Sequence, residues 1–194
     1  MARAKEFDRD KALDRALSVF WDKGYEATST DELLKAMGIG RQSMYDTFGD
    51  KHRLFVEALE RYNAASTAAL AERLASGASP IRALEAALLA IAEEGPKARA
   101  RGCMGVNATA ELGQSDPDVD AAIKSSTRYC EAALERTVRE AKKRGEIAAS
   151  VDEAAAARFF LATLRGLRLS AKAGTPPEAL RDIATFALRS LTAR

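Results

Sequence analysis

Arg41, Gln42 and Ser43 open a short polar segment, and Tyr45, Lys51 and His52 follow within about three helical turns. Each of these side chains can bond to an oxygen or nitrogen acceptor. A guanidinium matches the O6/N7 edge of guanine and a carboxamide the N6/N7 edge of adenine, while Ser, Tyr and Lys suit phosphate oxygens. His52 is the only histidine, and beside Lys51 at a helix start it fits a second phosphate contact or a surface residue better than a catalytic base. Just before this set stands Gly38-Ile39-Gly40, where two glycines permit a tight reversal between helices. Together they predict a helix-turn-helix, with residues 41–47 as the helix that enters a major groove. A merely solvated helix this short and polar would have little to stabilise it. A phosphate-binding glycine loop is excluded, because no strand precedes the glycines and the Walker lysine is missing.

A second constellation is Cys103, Asn107 and Glu111, spaced four residues apart, with Met104 beside them. At that spacing they share one helix face. Two readings stand open: a polar stripe lining a ligand or sensing pocket, or a face satisfied by solvent or a neighbouring helix. The basic stretch Lys97, Arg99 and Arg101 reads as a loop that could favour a Cys103 thiolate. One histidine and two separated cysteines cannot assemble a metal site of usual ligand count. There is no catalytic triad, carboxylate–histidine pair or cofactor fingerprint, so no catalytic residue and no cofactor is expected, and a helical-bundle enzyme is a remote alternative.

The elements that must position these groups are helical throughout. Leu13, Ala16, Leu17 and Phe20 recur at helical spacing over about 8–23, with Gly24 placed to stop the helix. Ser29 and Glu32 form a capping box for a helix over about 30–37. Further helices are predicted over 41–47, 51–77, 80–94, 103–112, 117–145, 152–172 and 178–191, nine in all, with no strand. The architecture expected is all-α: a DNA-binding domain at 1–53 and a ligand-binding and dimerisation domain at 54–194. The last two helices are apolar over more than one face, which invites a second copy of the chain. Phe159, Ala162, Gly166 and Ser170 on one, and Ile183, Ala187 and Leu191 on the other, are the expected dimer interface.

Charge alone would not nominate DNA. The chain is +2 overall, and residues 1–53 carry ten basic and ten acidic side chains. Binding therefore demands that the bases lie together on the recognition helix, the next helix start and the N-terminal arm (Arg3, Lys5). No apolar run reaches the roughly 18 residues of a membrane span, and no leader pattern opens the chain, so a cytoplasmic protein with reduced cysteines is expected.

The segment Phe20-Trp21-Asp22-Lys23-Gly24-Tyr25, then Thr28-Ser29-Thr30, then Tyr45, Phe48 and Lys51 resembles the TetR family of bacterial transcriptional regulators. The likeness is strong over about the first 60 residues. A weaker one, to a subgroup with a Gly-Cys-x-x-x-Asn segment, touches Gly102, Cys103 and Asn107. The resemblance implies that Thr28, Ser29, Thr30, Ser43, Tyr45 and Lys51 bind the DNA backbone. Gly40 stands where many members carry Ser or Thr, a small loss of capping. The resemblance further implies a homodimer joined as a four-helix bundle, binding a palindromic double-stranded operator, most simply as a repressor released by a small-molecule effector. The alternative it implies is a redox- or electrophile-sensing repressor acting through Cys103.

Overall fold

Polar caps begin most of these helices. Asp8, Ser29, Asp50, Ser79, Asp116 and Asp152 each accept a backbone N–H in the first turn of the helix they precede, satisfying donors that would otherwise be orphaned. The computed structural model describes residues 7–77 and 79–192. In chain order its α-helices are α1 (Arg9–Lys23), α2 (Thr30–Met37), α3 (Arg41–Phe48), α4 (Lys51–Ala75), α5 (Pro80–Glu93), α6 (Pro96–Arg101) and α7 (Met104–Glu111). A 3-10 turn (Gly113–Ser115) precedes α8 (Pro117–Lys143), α9 (Glu153–Lys172) and α10 (Pro177–Thr192). Among the described residues there is no strand. The nine expected helices are present, and the stretch read as a basic loop folds as the short α6. Pro96 at its first position has the helical φ built in, and Gly102 at φ 67° ends it.

Two apolar cores form. The first gathers Leu13, Phe20, Leu33, Met37, Met44, Phe48, Leu54, Phe55 and Leu59 from α1–α4, and also takes Met104, Ala108, Val119 and Ala122 from α7 and α8. Phe20 and Phe55 meet edge-on at 5.0 Å in its centre, each 1% exposed. Burial of such a ring stabilises by about 1.5–3 kcal/mol. The second core joins α5, α8, α9 and α10 around Leu84, Leu88, Leu134, Val138, Phe160 and Leu180. α4 runs without a break from one to the other, about 38 Å at 1.5 Å per residue. Among the described residues no helix is long and apolar enough to cross a membrane.

Candidate DNA interface and effector cavity

The turn between α2 and α3 is made by Gly38, left-handed at φ 71° and ψ 33°, whose N–H closes on the Leu34 carbonyl at 2.9 Å. Arg15 braces the same corner by donating to the Met37 carbonyl at 3.2 Å. α3 is held by Met44 and Phe48, both buried, and this fixes which face looks outward. Arg41, Gln42, Tyr45 and Asp46 are exposed there. Arg41 donates to Asp31 at 2.5 Å and Gln42 to Asp46 at 2.8 Å. These are surface contacts worth about 0–1 kcal/mol, so a base edge or phosphate can displace them. The Lys51 ammonium lies 4.3 Å from the Tyr25 ring centroid at the start of α4. Gly40 precedes α3 without a side-chain cap. Asp46 shares the outward face four residues after Gln42; sequence reasoning passed over it although the spacing was available.

One expected contact, Thr28, needs correcting, and two others, Ser29 and His52, are engaged within the protein. Thr28 is fully buried and donates its hydroxyl to the Gly24 carbonyl at 2.6 Å, so it shapes the corner after α1 and presents nothing to DNA. Ser29 is engaged in the capping box, accepting from the Glu32 N–H at 3.2 Å while its own N–H reaches the Glu32 carboxylate at 3.1 Å. His52 bonds through Nε2 to Asp116 at 2.6 Å and meets the Tyr25 ring edge-on. Asp116 is the cap of α8, and His52 is therefore a strut between the two parts of the chain. Although desolvation opposes it, the Val119 N–H and His52 hold the Asp116 carboxyl below its ordinary range. Thr30 and Ser43 are half-buried, Ser43 on α3 itself. The required sorting of charge is partial. Arg9 pairs with Glu57 at 2.7 Å and Arg61 with Asp10 and Asp14 at 2.9 and 2.7 Å, tying α1 to α4, but Asp31 and Asp46 stay beside the reading residues. Arg3 and Lys5 lie outside the described residues.

Behind this head a cavity of about 480 Å³ opens between α4, α5, α7, α8 and α9. Of the four residues expected to line it, only Cys103 does. Met104 is buried in the first core. Asn107 accepts from the Lys172 ammonium at 2.8 Å. Glu111 reaches the corner after α1, accepting from the N–H groups of Tyr25 at 2.9 Å and Glu26 at 2.7 Å. The reason is that Cys103 is the non-helical cap of α7, at φ −111° and ψ 123°, so helical spacing does not set its direction. Beside it is Tyr62, whose phenol is pushed up in pKa by burial and by the neighbouring thiol. Cys130 also lines the cavity, 3.9 Å from the Thr67 hydroxyl, and burial pushes its thiol up. The basic stretch is spent elsewhere. Arg101 bonds to Asp22 at 2.6 Å and the Ser18 carbonyl at 2.9 Å and lies 4.1 Å from the centroid of the Trp21 ring, and Arg99 donates to the Glu94 carbonyl.

On α9 and α10 the expected interface divides. Phe159 and Ile183 are each 44% exposed, and Ala162 and Gly166 are exposed too, with Ser170 intermediate. Ala187 and Leu191 are buried in the protomer's own core and cannot meet a partner. Leu169 and Phe186, 57% and 77% exposed, were missed, although Phe186 follows Ile183 at helical spacing.

A helix-turn-helix head whose reading helix faces outward, carried on an all-helical body with an internal cavity, defines a DNA-binding transcriptional regulator. The model for bacterial regulatory proteins of the tetR family matches residues 12–58, and that for the tetracyclin repressor-like C-terminal domain matches 77–187. The chain is 35% identical over 188 residues to the HTH-type transcriptional regulator YezE of Bacillus subtilis, covering 94% of this chain and 95% of that one. It is 33% identical over 189 residues to the HTH-type transcriptional repressor ComR of Escherichia coli, covering 96% and 90%. Among solved structures it is similar to a cysteine-substituted form of the regulator CifR complexed with 26-bp double-strand operator DNA, at a TM-score of 0.80 and 31% identity, over 98% of this chain and 100% of that chain. The chain belongs to the TetR family; it is a transcriptional regulator and not an enzyme.

Proposed function

We propose that the protein is a homodimeric repressor that binds a palindromic operator and is released when its cavity is occupied by a small molecule. The observation that carries this reading is the position of α7. Gly105, Val106 and Thr109 line the cavity, while Met104, Ala108 and Glu111 on the same short helix engage the DNA-binding head. A ligand that fits only one placement of α7 shifts the population of head orientations, and with it operator affinity. Dimerisation is supported by the uncovered apolar faces of α9 and α10, with Phe159, Leu169, Ile183 and Phe186 exposed. Two copies place two recognition helices about one or more DNA turns apart, roughly 34–36 Å per turn. The test is duplex binding by Arg41→Ala/Gln42→Ala/Lys51→Ala. Single removal of a base-reading group costs about 1–3 kcal/mol, so the triple variant should lose specific binding. Retained affinity would exclude α3 as the reader.

One observation favours a second reading: Cys103 and Cys130 both line the same cavity, so modification of a thiol there would occupy the space a ligand would. If Cys103 is the sensor, an alkylating electrophile releases the wild type and Cys130→Ser from DNA while Cys103→Ser stays bound. Equal release of all three, and of Cys103→Ser/Cys130→Ser as well, leaves reversible ligand binding as the mechanism.

A further inference from the structure

The charge of the cavity wall is one-sided. Three cavity-lining residues are cationic, Arg73 of α4 and Arg165 and Arg168 of α9, and none of the described lining residues is an aspartate or glutamate. Arg168 is answered from outside the wall by Glu94 at 2.5 Å. Arg165 is half-buried and donates to the neutral hydroxyl of Thr127 at 2.5 Å, and Arg73, solvent-exposed where it lines the cavity, has no ion-pair partner among the described residues. The cavity thus holds guanidinium charge in excess of its counter-charge. The remaining surface is largely apolar, with Leu70, Ile91 and Leu164 among its members. Guanidinium groups bind planar carboxylates through paired, charge-assisted hydrogen bonds, and an apolar wall rewards a hydrocarbon body.

We infer that the effector is an amphipathic carboxylate, its apolar body against the α5 and α9 side chains and its carboxylate answered by Arg73 and Arg165. This rests on the regulator reading above and names the chemical class of its ligand. A cation would meet two guanidinium groups that have no paired carboxylate, and a neutral molecule would forgo the charge-assisted contacts they offer. The same family fold with a carboxylate-lined cavity would select the opposite class, so the choice lies in these side chains and not in the architecture.

The experiment titrates the full-length protein by calorimetry, without DNA, using decanoate, decanol and decyltrimethylammonium below their critical micelle concentrations. Decanoate is expected to bind at least about ten-fold more tightly than either of the others, one charge-assisted contact being enough for that ratio. R73Q/R165Q should bring the acid down to the affinity of the alcohol. The inference is overturned if decanoate does not bind, if decanol or the cation matches it, or if R73Q/R165Q keeps the preference for the acid. Gel shifts with a duplex selected from random sequence separate the two readings. Decanoate that binds with the arginine dependence but leaves the duplex bound supports the ligand class and defeats release by occupancy. Failure of the protein to select any duplex defeats the regulator reading and leaves the calorimetric result standing.

Discussion

Removing the Glu111 carboxylate tests whether α7 is fastened to the DNA-binding head as its geometry indicates. The carboxylate accepts from two consecutive N–H groups, those of Tyr25 and Glu26, at a corner where Gly24 has φ 85° and ψ −178°. That backbone region is essentially closed to other residues. The conformation requires glycine there, and a Cβ added at Gly24 would lie 2.6 Å from Glu111 Oε2, so the carboxylate would have to move off its two N–H groups. Hydrogen bonds to a charged group contribute about 1.5–3 kcal/mol each, but Glu111 is exposed and the freed N–H groups can rehydrate, so Glu111→Ala should cost about 1–3 kcal/mol in total. For a chain of 194 residues that lowers Tm by roughly 2–12 °C. Gly24→Ala should cost about 1–3 kcal/mol from backbone strain with the collision added. In the double variant the collision is gone, so the two costs should fall short of their sum by at least ~0.5 kcal/mol. Denaturant unfolding followed by Trp21 fluorescence suits the cycle, because that indole donates to the Gly102 carbonyl at 3.2 Å beside the same corner. Additive costs, or a Glu111→Ala loss below about 0.5 kcal/mol, would refute a seated carboxylate.

Other expectations follow from single positions. Gly166→Arg meets open space within the protomer, with nothing within 4 Å of an added Cβ, and should even favour α9 by up to ~1 kcal/mol of helix propensity; sedimentation should nonetheless show monomers, and an intact dimer would remove α9 from the interface. Gly40→Ser has equally open space and supplies the missing cap of α3, so it should raise stability by a few tenths of a kcal/mol; a fall in Tm would show that Gly40 is needed for its backbone. Glu32 is held at a pKa of about 2, below the ordinary 4.5, first by Lys23 and then by the Ser29 N–H. Its contribution is therefore complete above about pH 4.5 and lost as pH falls through about 2. Glu32→Gln should be less stable than wild type at neutral pH, with the gap closing in acid, and a gap that stays constant to pH 2 would refute the assignment.

What the sequence made legible is what is decided locally. Ser29 with Glu32, Asp50, Asp116 with Pro117, and Gly38 announce helix boundaries because cap and partner lie within four residues of each other. The outward face of α3 was legible because Met44 and Phe48 are its only strongly apolar inward positions. The bond from His52 to Asp116 was illegible because the two are 64 residues apart. The cavity was illegible for the same reason: Arg73, Cys103, Cys130 and Arg165 come from different elements, and none forms a local pattern with another. Ala187 and Leu191 were misplaced because an amphipathic period identifies a buried stripe without saying whether the protomer or a partner covers it.

α7 explains why head and body act as one object. Eight residues long, it sends Met104 and Ala108 into the first core, sets Gly105, Val106 and Thr109 against the cavity and ends on Glu111 at the α1 corner. Its approach to α4 is close: a Cβ at Gly105 would stand 3.2 Å from Asn63 Oδ1. α7 is held at both ends, by Met104 and Ala108 in the first core and by Glu111 at the α1 corner. On the proposed function, a displacement at the cavity wall would reach the corner after α1 through Glu111 and through Arg101 with Asp22 and Ser18. Coupling energies between sites are typically about 1–3 kcal/mol, the same scale as the bonds at this corner. Under the proposed mechanism an occupant of the cavity would need only to favour one placement of α7 by that amount to change operator affinity.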